Sequence, residues 1–111
     1  MSTEYIRYEL ASHSEEEFLA AYVKASEHLK AAPECMSYTM RQCEEDARAF
    51  ILEIQWQSTQ AHLDGFRKGP NFPPFLSHVR PFIAEIGEMR HYCSTGLAWS
   101  RAAETPGSGG A

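Results

Sequence analysis

The side chains best suited to chemistry gather in the second half of the chain. His62 stands four residues before Phe66, so on a helix the two share a face, and that face should turn towards a sheet. A histidine in an apolar, aromatic pocket is suited to take a proton from a phenolic hydroxyl near neutral pH. Trp56 and Tyr38 fall on strand faces expected to meet the helices, and with Phe66 they would give flat walls for an aromatic ring. Asn71 could orient a substrate oxygen, and Arg90 could stabilise an anion. Each has a plainer reading beside it. His62 could be a core histidine bonded to backbone, Trp56 and Tyr38 ordinary core, and Asn71 a turn residue after Gly69-Pro70.

Other patterns of reactive residues are missing. There is no GxGxxG, P-loop or GxSxG, which removes nucleotide and nucleophile-elbow readings. His13, His28 and His78 have no metal-ligand spacing, and no HxxxH or HxH occurs. The cysteines, Cys35, Cys43 and Cys93, are odd in number and form no CxxC, so buried reduced thiols are expected and no metal site is. The net charge of -5 gives no field for a phosphate backbone, so nucleic acid is not an expected partner. No apolar run approaches the roughly 18–20 residues that span a bilayer, and the N-terminus shows no signal pattern. No membrane partner and a cytoplasmic location are the expectations.

The elements that must position these residues can be read from periodicity. Tyr5–Leu10 reads as a strand. Ser14 with Glu17 forms a capping box for a helix whose apolar face carries Phe18, Tyr22, Ala25 and Leu29 and which ends at Pro33. Cys35–Cys43 and Phe50–Trp56 alternate as strands around a polar hairpin connection. Ser58 can cap a second helix, Thr59 to Arg67, broken at Gly69-Pro70. Pro73-Pro74 is tolerated only in a first turn, so a short helix begins there and stops or kinks at Pro81. Ile86–Cys93 is the last strand.

This order predicts an α+β, ferredoxin-like βαββαβ domain over 1–95 with a four-stranded antiparallel sheet and helices on one face. Residues 96–111 form an extension, expected to be disordered from about 104. The other sheet face would carry Arg7, Glu9, Arg41, Glu53 and Gln55 with Tyr5, Ile51, Met89 and His91. Its mixture of charge and apolar surface suggests closure against a second copy, making a homodimer. Arg90 and Tyr92 alternate with His91, so these three cannot all line one pocket.

The run Trp56-Gln57-Ser58, Ala61 to Arg67, Pro70-Asn71-Phe72, Val79 to Ile83 and Glu88 to Tyr92 resembles the antibiotic biosynthesis monooxygenase family. The resemblance extends from Tyr5 to Tyr92. It implies a dimeric α+β barrel that binds a small aromatic substrate and O2. Family members include cofactor-free oxygenases of phenols and hydroquinones, and haem-degrading enzymes. On this resemblance the chain is expected to be a cofactor-independent monooxygenase of a small hydroquinone or polycyclic phenol. His62 and Asn71 would then be catalytic, and Trp56, Tyr38, Phe66 and Arg90 would contact substrate. The alternatives are a haem protein with His62 as axial ligand, or a non-catalytic dimeric binding module. The family often has a second histidine before the phenylalanine matched by Phe72, and here that place is Asn71.

Overall fold

The computed structural model describes residues 1–101. Its first strand, β1 (Ser2–Glu9), alternates strictly: Ser2, Glu4, Ile6 and Tyr8 are buried while Thr3, Tyr5 and Arg7 are not. It starts before the predicted Tyr5, which brings Glu4 into the buried row. Helix α1 (Glu15–Ala31) begins at Ser14, where Glu17 N–H donates to Ser14 Oγ and Ser14 N–H donates to the Glu17 carboxylate. Phe18, Tyr22, Ala25 and Leu29 form its buried stripe, as their spacing predicts. Strands β2 (Cys35–Gln42) and β3 (Ala49–Trp56) form the hairpin, and β4 (Ile86–Tyr92) closes the sheet in the antiparallel order β2-β3-β1-β4. Phe50, Leu52, Ile54 and Trp56 of β3 are buried beneath the helices.

Between β3 and β4 the chain makes a π-helical turn (Ala61–Phe66), helix α2 (Phe72–Val79) and a 3-10 turn (Arg80–Glu85). Ser58 Oγ accepts from Ala61 N–H, so the predicted cap is present. Pro73 and Pro74 occupy the first turn of α2. Gly69 is required for the turn between them, because a Cβ there would lie 2.6 Å from the Gly65 carbonyl oxygen. No helix among the described residues is long and apolar enough to cross a membrane. The segment expected to be disordered, from about 104, lies outside the described residues. Cys43 and Cys93 are exposed, which corrects the expectation of buried thiols: one sits in the β2–β3 connection and the other just past the end of β4.

The last strand departs from its predicted phase. Ile86 pairs with Tyr8, but Glu88 pairs with Arg7, so Gly87 is the extra residue of a bulge. One inserted residue exchanges the two faces of the strand beyond it. Met89 and His91 therefore pair with Ile6 and Glu4 on the helix side, and Arg90 pairs with Tyr5 on the open side. This corrects the expected placement of Met89 and His91 on the open face. Tyr5, Arg7, Ile51, Glu53 and Gln55 do lie there. Arg41 bonds Glu53, Thr3 donates to Gln55, and Tyr5 meets Tyr92 edge to face at 5.4 Å.

Glu85 ties the β1–α1 loop to the start of β4. Its side chain accepts from the backbone N–H groups of Ala11 and Ser12 at 2.5 and 2.6 Å and bonds His13 Nδ1 at 2.7 Å. Burial opposes ionisation here, yet these donors outweigh it and hold the carboxyl down to about 2. The ionised form is favoured in the fold, so its stabilisation is complete above the ordinary 4.5 and is lost as pH falls towards 2. Glu85→Ala should lower stability at pH 7 by about 2–3 kcal/mol in urea unfolding. The gap from the parent should close as the pH is lowered through that window.

Candidate active site

The site is built from the ends of three strands and the π turn. Trp56, the last residue of β3, lies flat on His62, with ring centroids 4.2 Å apart and planes 8° from parallel. Trp56 Nε1–H donates to Glu4 Oε1 at 3.0 Å. Glu4 Oε1 lies 3.7 Å from His62 Nε2. Glu4 and His62 are only 1% and 2% exposed. Phe66 tilts against Trp56 at 5.0 Å.

The π turn explains a further neighbour. Arg67 N–H donates to the His62 carbonyl, five residues back, at 2.9 Å. In a turn of that width, residue i+5 is carried round beside residue i. Arg67 Nε–H consequently reaches His62 Nε2 at 3.2 Å. On the other side of the ring, His62 Nδ1 meets His91 Nε2 at 2.8 Å.

These contacts determine the tautomers. An arginine Nε can only donate, so His62 Nε2 accepts. In a neutral ring the proton is then on Nδ1, which donates to His91 Nε2. His91, if neutral, carries its own proton on Nδ1. Burial, then the nearby charges of Arg67 and His91, push the His62 pKa down to about 3, so its ring is neutral at physiological pH. Burial raises the Glu4 carboxyl above its ordinary value, against the pull of the Trp56 hydrogen bond, His91 and Arg67.

A cavity of about 170 Å³ runs from this cluster between the helices and the sheet. Glu4, Trp56, His62, Phe66 and Arg67 line one part of it. Ile6, Leu29, Ile54, Phe72, Phe75, Val79 and Met89 supply apolar walls. Tyr8 and Tyr22, also in the lining, share a hydrogen bond between their hydroxyls. Burial raises both phenols, Tyr8 to about 12, so both keep their protons.

Of the residues singled out from sequence, His62, Trp56 and Phe66 come together at the cavity. Tyr38 faces the helix side, pairing with Ile54, but packs at the periphery of the core and is not in the lining. Asn71 precedes α2, makes no side-chain capping bond and does not line the cavity. The expectation for Arg90 is corrected: its side chain is 70% exposed on the open face and pairs with Glu88 at 3.0 Å. Glu4, Arg67 and His91 were not singled out for the site. Glu4 was legible in principle, as the polar member of the row Glu4, Ile6, Tyr8.

Two cofactor possibilities can be tested on this geometry. Glu4, His62 and His91 bring three ligand atoms within 4.8 Å of one another, the metal-like grouping found among the described residues. They do not fit one ion. Glu4 approaches His62 Nε2, His91 approaches Nδ1, and these nitrogens point out of different sides of the ring. Haem does not fit either, which removes His62 as an axial ligand. The cavity is below the roughly 300 Å³ that even drug-sized ligands need, and haem is larger than these.

Because the fold favours neutral His62, the unfolded chain takes up a proton there that the folded chain refuses. Stability therefore falls as pH drops below 6.5 towards 3. Between pH 6.5 and 5, His62→Gln should show a shallower loss of unfolding midpoint than the parent. Parallel curves would contradict the assignment.

Comparison with known proteins agrees with this architecture. A family model described as antibiotic biosynthesis monooxygenase matches residues 1–76. The uncharacterized protein YczJ of Bacillus subtilis (strain 168) is 19% identical over 78 residues, covering 70% of this chain and 82% of YczJ. A crystal structure assigned to the same family, from Bordetella bronchiseptica, superposes with a TM-score of 0.73 at 19% identity, covering 84% of this chain and 95% of that one. SnoaB of Streptomyces nogalater, described as a cofactor-independent oxygenase, superposes in a mutant form with a TM-score of 0.72 at 14% identity, covering 86% of this chain and 94% of SnoaB. With its matching βαββαβ order and four-stranded antiparallel sheet, the chain belongs to the antibiotic biosynthesis monooxygenase family.

Proposed function

We propose that this protein is a cofactor-independent monooxygenase that oxidises a one- or two-ring hydroquinone or phenol with O2. One observation carries the reading: an apolar cavity that ends on a neutral histidine flanked by an arginine and a buried carboxyl. The oxygenase activity described for SnoaB, which shares the fold, supports the same class of reaction.

Ground-state O2 reacts slowly with closed-shell molecules, but an electron-rich phenolate can transfer one electron to it. The protein's tasks are then to remove a phenolic proton, hold the ring in a dry slot and stabilise the anion. In this reading the phenol approaches His62 Nε2 and gives up its proton there; with the pKa of the ring held at about 3, the transfer depends on Arg67 leaving Nε2 and stabilising the phenolate in the same step. The Arg67 guanidinium, which donates to Nε2 in the free protein, turns to the phenolate oxygen and offsets its charge. Glu4, held by Trp56, lies beside the same nitrogen and adds a carboxyl to the polar end of the slot. The radical pair combines at a ring carbon, and loss of water from the peroxide leaves a hydroxyquinone. The balance is hydroquinone plus O2 giving hydroxyquinone plus water, with all four electrons supplied by the substrate.

The volume narrows the substrate. A cavity of about 170 Å³ is close to the roughly 150 Å³ that accommodates benzene, which favours one- and two-ring substrates over larger polycycles. The space beside His62 and Trp56 is open rather than filled by side chains, as entry of a substrate requires. We also propose a homodimer closed over the open sheet face, expected as a dimer mass in light scattering at micromolar concentration. A monomer mass would refute it.

Oxygen uptake with 1,4-naphthohydroquinone should exceed uptake with a three-ring hydroquinone. His62→Ala should lower kcat by about 10²–10⁴-fold. Equal uptake by parent and variant would remove His62 as the base.

A further inference from the structure

Two openings meet at the histidine pair. His62 lines the buried cavity and His91 does not; His91 lines a separate surface cleft of about 380 Å³ and His62 does not. The cleft is bounded by Ser2, Ser58, Thr59, Tyr92 and Cys93, and the Ser2 and Thr59 hydroxyls are bonded to one another at 2.8 Å. The 2.8 Å contact between His62 Nδ1 and His91 Nε2 crosses the wall between the two spaces. We infer that His62 and His91 form a proton relay connecting the buried site to solvent in this cleft, with His91 as its outer member.

The geometry gives the relay a direction. Arg67, donating to Nε2, fixes His62 with that nitrogen unprotonated on the cavity side and Nδ1–H towards His91. A proton accepted at His62 Nε2 releases the one on Nδ1 to His91 Nε2. His91 then releases its Nδ1 proton to water. Each ring gains one proton and loses one, so the buried ring need not hold a full positive charge, and the charge passes to a ring bordering solvent. Afterwards His62 carries its proton on Nε2 and faces the substrate as a donor. When the oxygenated intermediate expels hydroxide, that proton completes the departing water. A solvent proton entering at His91 Nδ1 restores the first arrangement, and no net proton is consumed.

The turnover arm of the test rests on the proposed monooxygenase reading, whereas the tautomer arm does not. Long-range 15N–1H NMR on the full chain should show both histidines as Nδ1–H tautomers at neutral pH. A His62 found as the Nε2–H tautomer overturns the relay whatever the activity. In His91→Gln, the amide oxygen can still accept from His62 Nδ1–H and hold the ring, but it cannot pass a proton on. With 1,4-naphthohydroquinone, kcat should fall roughly 10- to 100-fold with KM unchanged. Added imidazole should restore part of the rate in His91→Ala, where the cleft is enlarged. Full activity in His91→Gln reduces His91 to a positioning residue and overturns the relay. A parent that consumes no oxygen with any hydroquinone fails the functional reading; the relay is then read from exchange of the His62 Nδ1 proton with water, which should slow roughly 10-fold in His91→Gln, and an unchanged rate overturns it. If His91→Gln does not fold, the imidazole rescue of His91→Ala decides, and an absence of rescue overturns the relay.

Discussion

A neutral imidazole held from both sides is the constraint around which the site is organised. Arg67 donates to one nitrogen of His62, and the other donates to His91, while Trp56 covers the ring face. Burying a histidine this deeply without bonding both nitrogens would leave an orphaned polar group worth a few kcal/mol. The fold meets that demand with three separate segments. The π turn brings Arg67 round, the β4 bulge turns His91 inward, and the end of β3 places Trp56 beneath. Loss of either nitrogen's partner would leave a buried polar atom unmatched, so the contacts that set the tautomer of His62 also stabilise the fold.

The surrounding structure leaves open space on the cavity side of this cluster. The stripe of α1 and the phenylalanines of α2 pack above β1 and β3 without filling the space in front of His62. Phe66 meets Phe72 and Phe75 edge to face at 5.6 and 5.5 Å, forming a wall of rings instead of a plug. Such a slot suits a flat apolar molecule with a polar end. The Tyr8–Tyr22 pair adds a second polar feature, and both hydroxyls remain protonated. One bond between two hydroxyls leaves one O–H free to donate, which a substrate bearing a second oxygen could use.

The sequence made the fold legible because its periodicities are strong. The α1 stripe, the capping box and the alternation of β3 each point to one answer, and the four strands and two main helices follow. His62 and Trp56 were legible for the same reason, since Phe66 shares the helical face of His62 and Trp56 continues the row of Leu52 and Ile54. The rest of the site depends on departures from regularity. Arg67 is beside His62 only because the turn is π rather than α. His91 faces inward only because Gly87 is a bulge residue, a position where a Cβ would lie 2.8 Å from the Arg7 side chain. Strict alternation from Ile86 puts Arg90 inside and His91 outside, the reverse of what is found. Glu4 was hidden by one boundary, because a strand begun at Tyr5 omits it.

The most direct measurement is a crystal structure of the protein with 1,4-naphthohydroquinone bound under anaerobic conditions. The ring is expected in the cavity between Trp56 and the α2 phenylalanines, with one oxygen within hydrogen-bond distance of His62 Nε2 and the Arg67 guanidinium moved onto that oxygen. An empty cavity with Arg67 still on His62, or a ligand held only on the open sheet face, would contradict a phenol-oxidising site at His62.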